Sequence, residues 1–278
     1  MSDPPSLDLT QTTFIIPIYV DSAERLRNLK IKIGYLHGSL DTNVIILEHG
    51  HSPEVQQMLE QYYPHDVRSK THVIFKKAPE GEICFYRTKF INEIFTDITT
   101  PLVCISDCDS LATAEAYVDA QSEVLKGNIG AMLPFARGAF RKEINYWGKE
   151  IVEETTNPDF LDNKYSYTDG LLSDVQSELF IKRKTWLGIG LENENIIYSQ
   201  EENKERLHRL TGLGHSFAWS RDPEAPLWTL FHPPSTLPTE FSLSNGAKLN
   251  ELRSLTGEKL KEYLQDTLTY LPTYGFNF

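Results

Sequence analysis

Over its first 110 residues the chain alternates short, nearly all-apolar runs with stretches of helical spacing, and few folds satisfy that order. The runs are Thr13–Tyr19 (TFIIPIY), Asn43–Glu48 (NVIILE), His72–Phe75 (HVIF) and Leu102–Ser106 (LVCIS). They are rich in β-branched residues and too continuously apolar for a sheet with one wet face. Each predicts a strand covered on both sides. Pro17 predicts that the first strand ends there or holds a special position. Asp21 or Ser22 can cap a helix that gathers Leu26, Leu29, Ile33 and Leu36 on one face. Ser52–Tyr63 and Phe85–Phe95 predict two more helices. The alternation predicts an α/β fold, a mainly parallel sheet with helices on both faces.

The second half is less regular. Gly130–Phe135 predicts a strand, and residues 125–175 otherwise read as a loop-rich surface. Ser177–Arg183 predicts a strand and Thr185 a short helix. Glu201–Leu210 predicts a helix stopped by Gly212 and Gly214. Leu249, Leu252, Leu260, Tyr263 and Leu264 predict one terminal amphipathic helix.

Composition narrows the function classes. The 39 acidic residues outnumber 27 basic ones, for a formal charge of −12, which disfavours a large nucleic-acid footprint. No apolar run approaches the roughly 20 residues of a membrane span. The polar start, MSDPPSLDLTQTT, does not read as a signal peptide. Cys84, Cys104 and Cys108 are too few for a disulfide scaffold and lack zinc spacing, so a cytoplasmic location is expected.

Asp107-Cys108-Asp109, directly after the fourth strand, carries the clearest chemistry. On an extended segment side chains i and i+2 point the same way, and two carboxylates so placed repel unless a cation sits by them. Hard oxygen ligands at the carboxyl edge of a parallel sheet suit Mg²⁺ or Mn²⁺ with a diphosphate. Spacing alone is weak, because a solvated acidic turn gives the same pattern.

The order of short motifs around it resembles the GT-A glycosyltransferases, in particular their β-1,4-galactosyltransferase-like and bacterial capsular-type branch. The resemblance runs over about residues 13–234. Ile16-Pro17-Ile18-Tyr19 is similar to the segment leading into the nucleotide pocket. Ile46-Leu47-Glu48-His49 resembles the strand end near base and ribose. Arg87 to Asn92 resembles the R-x-x-x-x-N helix over the nucleotide. Leu179–Trp186 and Gly188–Glu194 resemble F-I-x-R-x-x-W and G-G-F-x-E, and Tyr198–Arg206 resembles W-G-x-E-D with its helix. A rival register puts Glu192-Asn193 on that last motif. His232, in Leu227–Pro233, matches a metal-binding histidine, although a buried structural histidine would look alike.

The resemblance implies a GT-A domain over residues 1–238, with a nucleotide half (1–110) and an acceptor half (111–238), then a helical tail (239–278). It implies transfer of a hexose or N-acetylhexosamine from a UDP-sugar to a glycan or lipid-linked glycan, with at most peripheral membrane association. Pro17, Tyr19, Glu48, Arg87, Asn92, Asp107 and Asp109 would meet the nucleotide sugar. Asp109 and His232, assisted by Asp107, would hold Mn²⁺ or Mg²⁺. Glu202 would act on the acceptor hydroxyl.

Three departures stand out. Ser199-Gln200 replaces W-G, Ser177-Glu178 replaces a paired glycine, and Asn203 replaces the Asp that is general base in inverting members. An amide accepts no proton at neutral pH. Either Glu202 or Glu201 takes the role, or the mechanism is not simple inversion, or the chain binds a nucleotide sugar or glycan without turnover. Trp147, Tyr167 and Asp169, in the irregular region, are candidates for donor-sugar or acceptor contacts; a hydrophobic lid would use the same aromatics.

Overall fold

The computed structural model describes residues 7–79, 85–137, 140–144, 167–171, 178–197, 201–230, 232 and 239–275, with backbone alone for 140–144, 167–171 and 239–242. The first half runs β1 (Leu7–Tyr19), α1 (Ala23–Ser39), β2 (Leu40–Gly50), α2 (Glu54–Tyr62), α3 (His65–Ser69), β3 (Thr71–Lys77), α4 (Arg87–Glu93) and β4 (Leu102–Ile105). There follow β5 (Ser110–Leu111), α5 (Ala114–Lys126), β6 (Ala131–Leu133), β7 (Phe140–Ile144), β8 (Tyr167–Leu171), β9 (Leu179–Lys182) and α6 (Arg183–Gly188). The chain continues through α7 (Glu201–Gly212), β10 (Phe217–Trp219), β11 (Leu227–Leu230), α8 (Thr239–Arg253) and α9 (Gly257–Thr267).

The central sheet has seven strands in the order β10-β6-β9-β4-β1-β2-β3. All neighbours are parallel except β9, which runs antiparallel to both β4 and β6. The period of two along each strand divides the core. Phe14, Ile16, Val44 and Ile46 pack with Leu29 of α1, Leu59 of α2 and Val124 of α5. Ile15, Ile45 and Val103 face the other way, onto Ile91 of α4, Leu207 of α7 and Leu260 of α9. Burying each of these side chains is worth about 1.5–3 kcal/mol. Covering both faces is why β1, β2 and β4 read as unbroken apolar runs; β3, at the sheet edge, is mostly half-buried and lacks the two-sided cover expected of it.

Strand β1 is longer than its apolar run. Leu7–Gln11 is mostly exposed and joins the core through a register shift between Asp8 and Thr13. Pro17 is accommodated inside β1 because β4 pairs only as far as Ile15, leaving β2 as its neighbour. Ser22 caps α1 as expected, accepting from the Arg25 amide.

A second, four-stranded sheet, β5-β11-β7-β8, stands beyond the carboxyl edge of β4. The C-terminal stretch forms two helices where one was expected. The chain breaks at Thr256, which is extended, and at Gly257, whose φ is +56. Both helices pack inward: Leu252, Leu260, Leu264 and Leu271 belong to the same apolar cluster as Ile15 of the central strand.

Candidate functional site

The Ser106–Asp109 segment leaves the carboxyl edge of β4, where open α/β sheets bind ligands. The Ser106 amide makes a last sheet bond to the Ile15 carbonyl, and the chain then turns into β5. Because Cys108 and Asp109 lie in a turn rather than a strand, the two carboxylates do not share one side. Asp107 accepts from Arg87 Nη2 at 2.7 Å. Asp109 Oδ2 lies 3.1 Å from His232 Nε2.

The small sheet explains how residues 123 apart in sequence meet. In the antiparallel pair, Leu111 faces Trp228 and Ser110 faces Thr229, and the Leu230 amide donates to the Asp109 carbonyl at 2.6 Å. The same register carried two residues on puts His232 diagonal to Asp109, within reach of a long side chain. Helix α1 holds both strands from behind. Asn28 Nδ2 donates to the Leu230 carbonyl at 3.1 Å and Tyr35 OH to the Ala112 carbonyl at 3.0 Å.

Arg87, at the start of α4, reaches across the site. Its Nη1 donates to Glu202 Oε1 at the start of α7, while Nη2 holds Asp107. Burial alone would lower Arg87, but the two carboxylates outweigh it and hold its pKa above the ordinary value. Burial pushes Glu202 up, with Arg87 pulling it down less strongly. Glu202 Oε2 is buried with no hydrogen bond among the described residues. Glu201, beside it, is half-buried.

Asn203 belongs to a different, wholly buried cluster. Its Oδ1 accepts from Arg206 Nη1 at 3.0 Å. Arg206 grips Glu192 with two bonds, Nε–Oε1 at 2.6 Å and Nη2–Oε2 at 2.5 Å, and Trp186 Nε1 donates to the same carboxylate. Burial raises Glu192, but Arg206 outweighs it and holds the carboxyl below its usual range. Asn92 has both amide ends on the Glu192 backbone: Oδ1 accepts from its N–H at 2.8 Å, and Nδ2 donates to its carbonyl at 2.9 Å. Asn92 thus ties the 192–194 turn to α4. The residues of the rival register, Glu192 and Asn193, are buried here too.

At the carboxyl ends of β1 and β2, Tyr19, His49, Phe85 and Phe90 form an aromatic cluster, with His49 stacked on Phe85 at 5.9 Å between centroids. Glu48 beneath it serves α2. Pro53 at the helix entry offers no capping group, so Glu48 Oε1 accepts from the amides of Glu54 and Val55 at 2.7 and 3.0 Å. Trp147 lies outside the described residues. Tyr167 and Asp169 are placed in β8, opposite Ile144 and Lys142 of β7.

The structure brings Arg87 to Asp107 and Glu202, and Asp109 to His232; the buried ion pairs Arg206–Glu192 and Arg209–Glu205 are not among the pairings expected from sequence. The second was legible as an i,i+4 pair on a helix. The first joins residues in separate segments and leaves no local mark.

Among the described residues, no group of three or more His, Cys, Asp or Glu side chains gathers as a complete cation cage. The Asp109–His232 pair nonetheless fits a divalent ion that draws its remaining ligands from a diphosphate and water. Two ligands at right angles, each about 2.1 Å from an ion, are about 3 Å apart. The 3.1 Å separation equals that edge and is also an ordinary His–Asp hydrogen bond, which a bound ion would replace.

No protein-family model matches the chain, and no curated protein sequence matches it. Solved structures do. GalNAc-T7 with UDP, GalNAc and Mn²⁺ superposes with a TM-score of 0.56 at 11% identity, covering 87% of this chain and 47% of that one. The chain therefore spans about half the length of that relative. S. aureus TarS 1-349 gives 0.55 at 13% identity over 95% of this chain and 74% of that one. The mannosyltransferase PcManGT from Pyrobaculum calidifontis, with GDP-Man and Mn²⁺, gives 0.53 at 11% over 94% and 69%. With its mostly parallel seven-stranded sheet and a second sheet at the carboxyl edge, the chain has the fold of the GT-A glycosyltransferases.

Proposed function

We propose that this protein is a divalent-metal-dependent glycosyltransferase, moving a hexose or N-acetylhexosamine from a UDP-sugar to a hydroxyl of a glycan or lipid-linked glycan in the cytoplasm. The observation that carries the reading is the meeting of Asp109 and His232 at the carboxyl edge of the sheet. Asp109 Oδ2 and His232 Nε2 would hold Mn²⁺ or Mg²⁺. The bound ion would offset charge on the leaving diphosphate. Tyr19, the partly exposed ring of the aromatic cluster, would meet the base, with buried His49 and Phe85 behind it. Tyr167, Asp169 and Trp147 are proposed for the sugar or acceptor side.

Glu202 is the proposed base. Its raised pKa makes it a better proton acceptor than a solvated carboxylate. Arg87 offsets part of the burial cost of its charged form, and the acceptor hydroxyl would pass its proton to the carboxylate as the sugar bond forms and the bond to the diphosphate breaks. Asn203, engaged by Arg206, takes no part in that transfer.

The second reading, binding without turnover, is favoured by the Arg87–Glu202 pairing, since a carboxylate held by arginine is not free to act. UDP release from a panel of UDP-sugars with Mn²⁺ separates the two. Turnover is expected with one donor class, and D109A should abolish Mn²⁺-dependent UDP binding. E202Q should lower kcat about 10²-fold or more and leave donor binding intact. Tight UDP and Mn²⁺ binding with no turnover on any donor would establish the second reading. Unchanged turnover in E202Q would place the base elsewhere.

A further inference from the structure

Glu178 stands where the resembling enzymes carry the second of two glycines. Its backbone is left-handed, with a φ of +75, a conformation that favours glycine. That side chain is wholly buried and fully occupied. Oε1 accepts from Lys32 Nζ at 2.5 Å, Ser106 Oγ at 2.5 Å and Ser110 Oγ at 2.7 Å. Oε2 accepts from Tyr117 OH at 2.9 Å. Lys32, on α1, is also completely buried and donates to the Ser110 carbonyl at 2.6 Å.

Ser106 and Ser110 bracket Asp107-Cys108-Asp109. One carboxylate therefore ties both ends of the turn, and its lysine holds the first residue of β5, the strand paired with the one that leads to His232. Lys32 sits one helical turn from Asn28 and from Tyr35, whose bonds fix the Leu230 and Ala112 carbonyls. Three side chains on one helix face thus hold the two strands that bring Asp109 to His232.

We infer that the Lys32–Glu178 pair is a positioning device: it sets the Ser106–Ser110 turn so that Asp109 and His232 stand at cation-ligating separation, and thereby sets divalent-cation affinity. The cation part rests on the proposed function; the ordering of the turn does not. Groups that orient ligands from behind change metal affinity about 10–100-fold when removed.

The test compares wild type, E178G, D109N and the double variant K32M/E178L by Mn²⁺ titration with UDP present, thermal unfolding, and hydrogen exchange of amides 107–111. E178G supplies a glycine that suits the backbone, deletes the tether and leaves Lys32 buried without its carboxylate. The double variant removes both charges together, so neither is left buried alone, although the hydroxyls of Ser106, Ser110 and Tyr117 lose their shared acceptor. Both should bind Mn²⁺ about 10-fold or more weakly and exchange faster at the turn, while thermal unfolding shows each variant still folded at the assay temperature. Wild-type Mn²⁺ affinity in both, alongside its loss in D109N, overturns the inference and leaves the proposed function standing. No Asp109-dependent Mn²⁺ binding in wild type overturns the proposed function and the cation part together. Unchanged exchange at the turn in both variants overturns the positioning role itself.

Discussion

Arg87 carries two carboxylates on one guanidinium, and its removal would leave them unequal. Asp107, 39% exposed, would turn to water, whereas Glu202, only 6% exposed, would stay buried without a partner. R87M should therefore cost about 3–5 kcal/mol, the range for breaking a buried pair from one side. Urea unfolding measures it. Adding E202Q to R87M should restore much of the loss, because the orphaned charge is gone. Asn203 illustrates the same scale. Its amide suits an acceptor role toward Arg206, so the residue that departs from the inverting pattern serves the core in this chain.

Between elements, α1 and β3 meet through His37, whose Nε2 lies 2.8 Å from Thr71 Oγ1. Burial, with Lys70 nearby, pushes its imidazole down to about 4. In the unfolded chain it titrates near 6.5. As pH falls from about 6.5 to about 4 the unfolded state gains a proton that the folded state refuses, so stability drops. The loss from this group is about 3 kcal/mol, complete once pH is below the folded value. H37Q should flatten that part of the pH–stability curve relative to wild type. Helices α7 and α9 meet more tightly. A Cβ on Gly212 would come within 2.6 Å of Leu260 Cδ2, and Leu260 is completely buried. G212A should cost about 1–3 kcal/mol, the usual penalty for overpacking, read as a lower thermal midpoint.

Over the whole molecule, the apolar side chains of residues 252–271 pack into the core. Leu252, Leu260, Leu264, Leu268 and Leu271 are each at most 2% exposed and cluster with the central sheet. Tyr270 OH also donates to the Glu192 carbonyl at 2.5 Å, and Asn195 Nδ2 donates to the Thr267 carbonyl at 3.0 Å. Five such side chains together contribute an amount comparable to the total stability of a domain, about 5–15 kcal/mol. A chain cut after residue 238 should lose cooperative unfolding by calorimetry, and the intact chain should show a single transition. A truncated protein with a native-like midpoint would make residues 239–278 a separable tail.

The sequence by itself determined the strand–helix order, the covered inner strands of the sheet and the position of the acidic segment after β4. Each is local: a β-branched run, a capping serine and the D-x-D spacing are visible within a dozen residues. His232 was legible only through an ordered set of motifs, because a lone histidine among aromatics has no local signature. Three things were decided by tertiary structure alone. The turn at Cys108–Asp109 separates the two carboxylates, sending one to Arg87 and the other to His232. The Arg206–Glu192 and Lys32–Glu178 pairs join residues 14 and 146 apart. The terminal helices close the second face of the sheet. Side-chain charge pairing across such separations depends on which strands lie side by side, and strand order is a property of the folded sheet rather than of any segment in it.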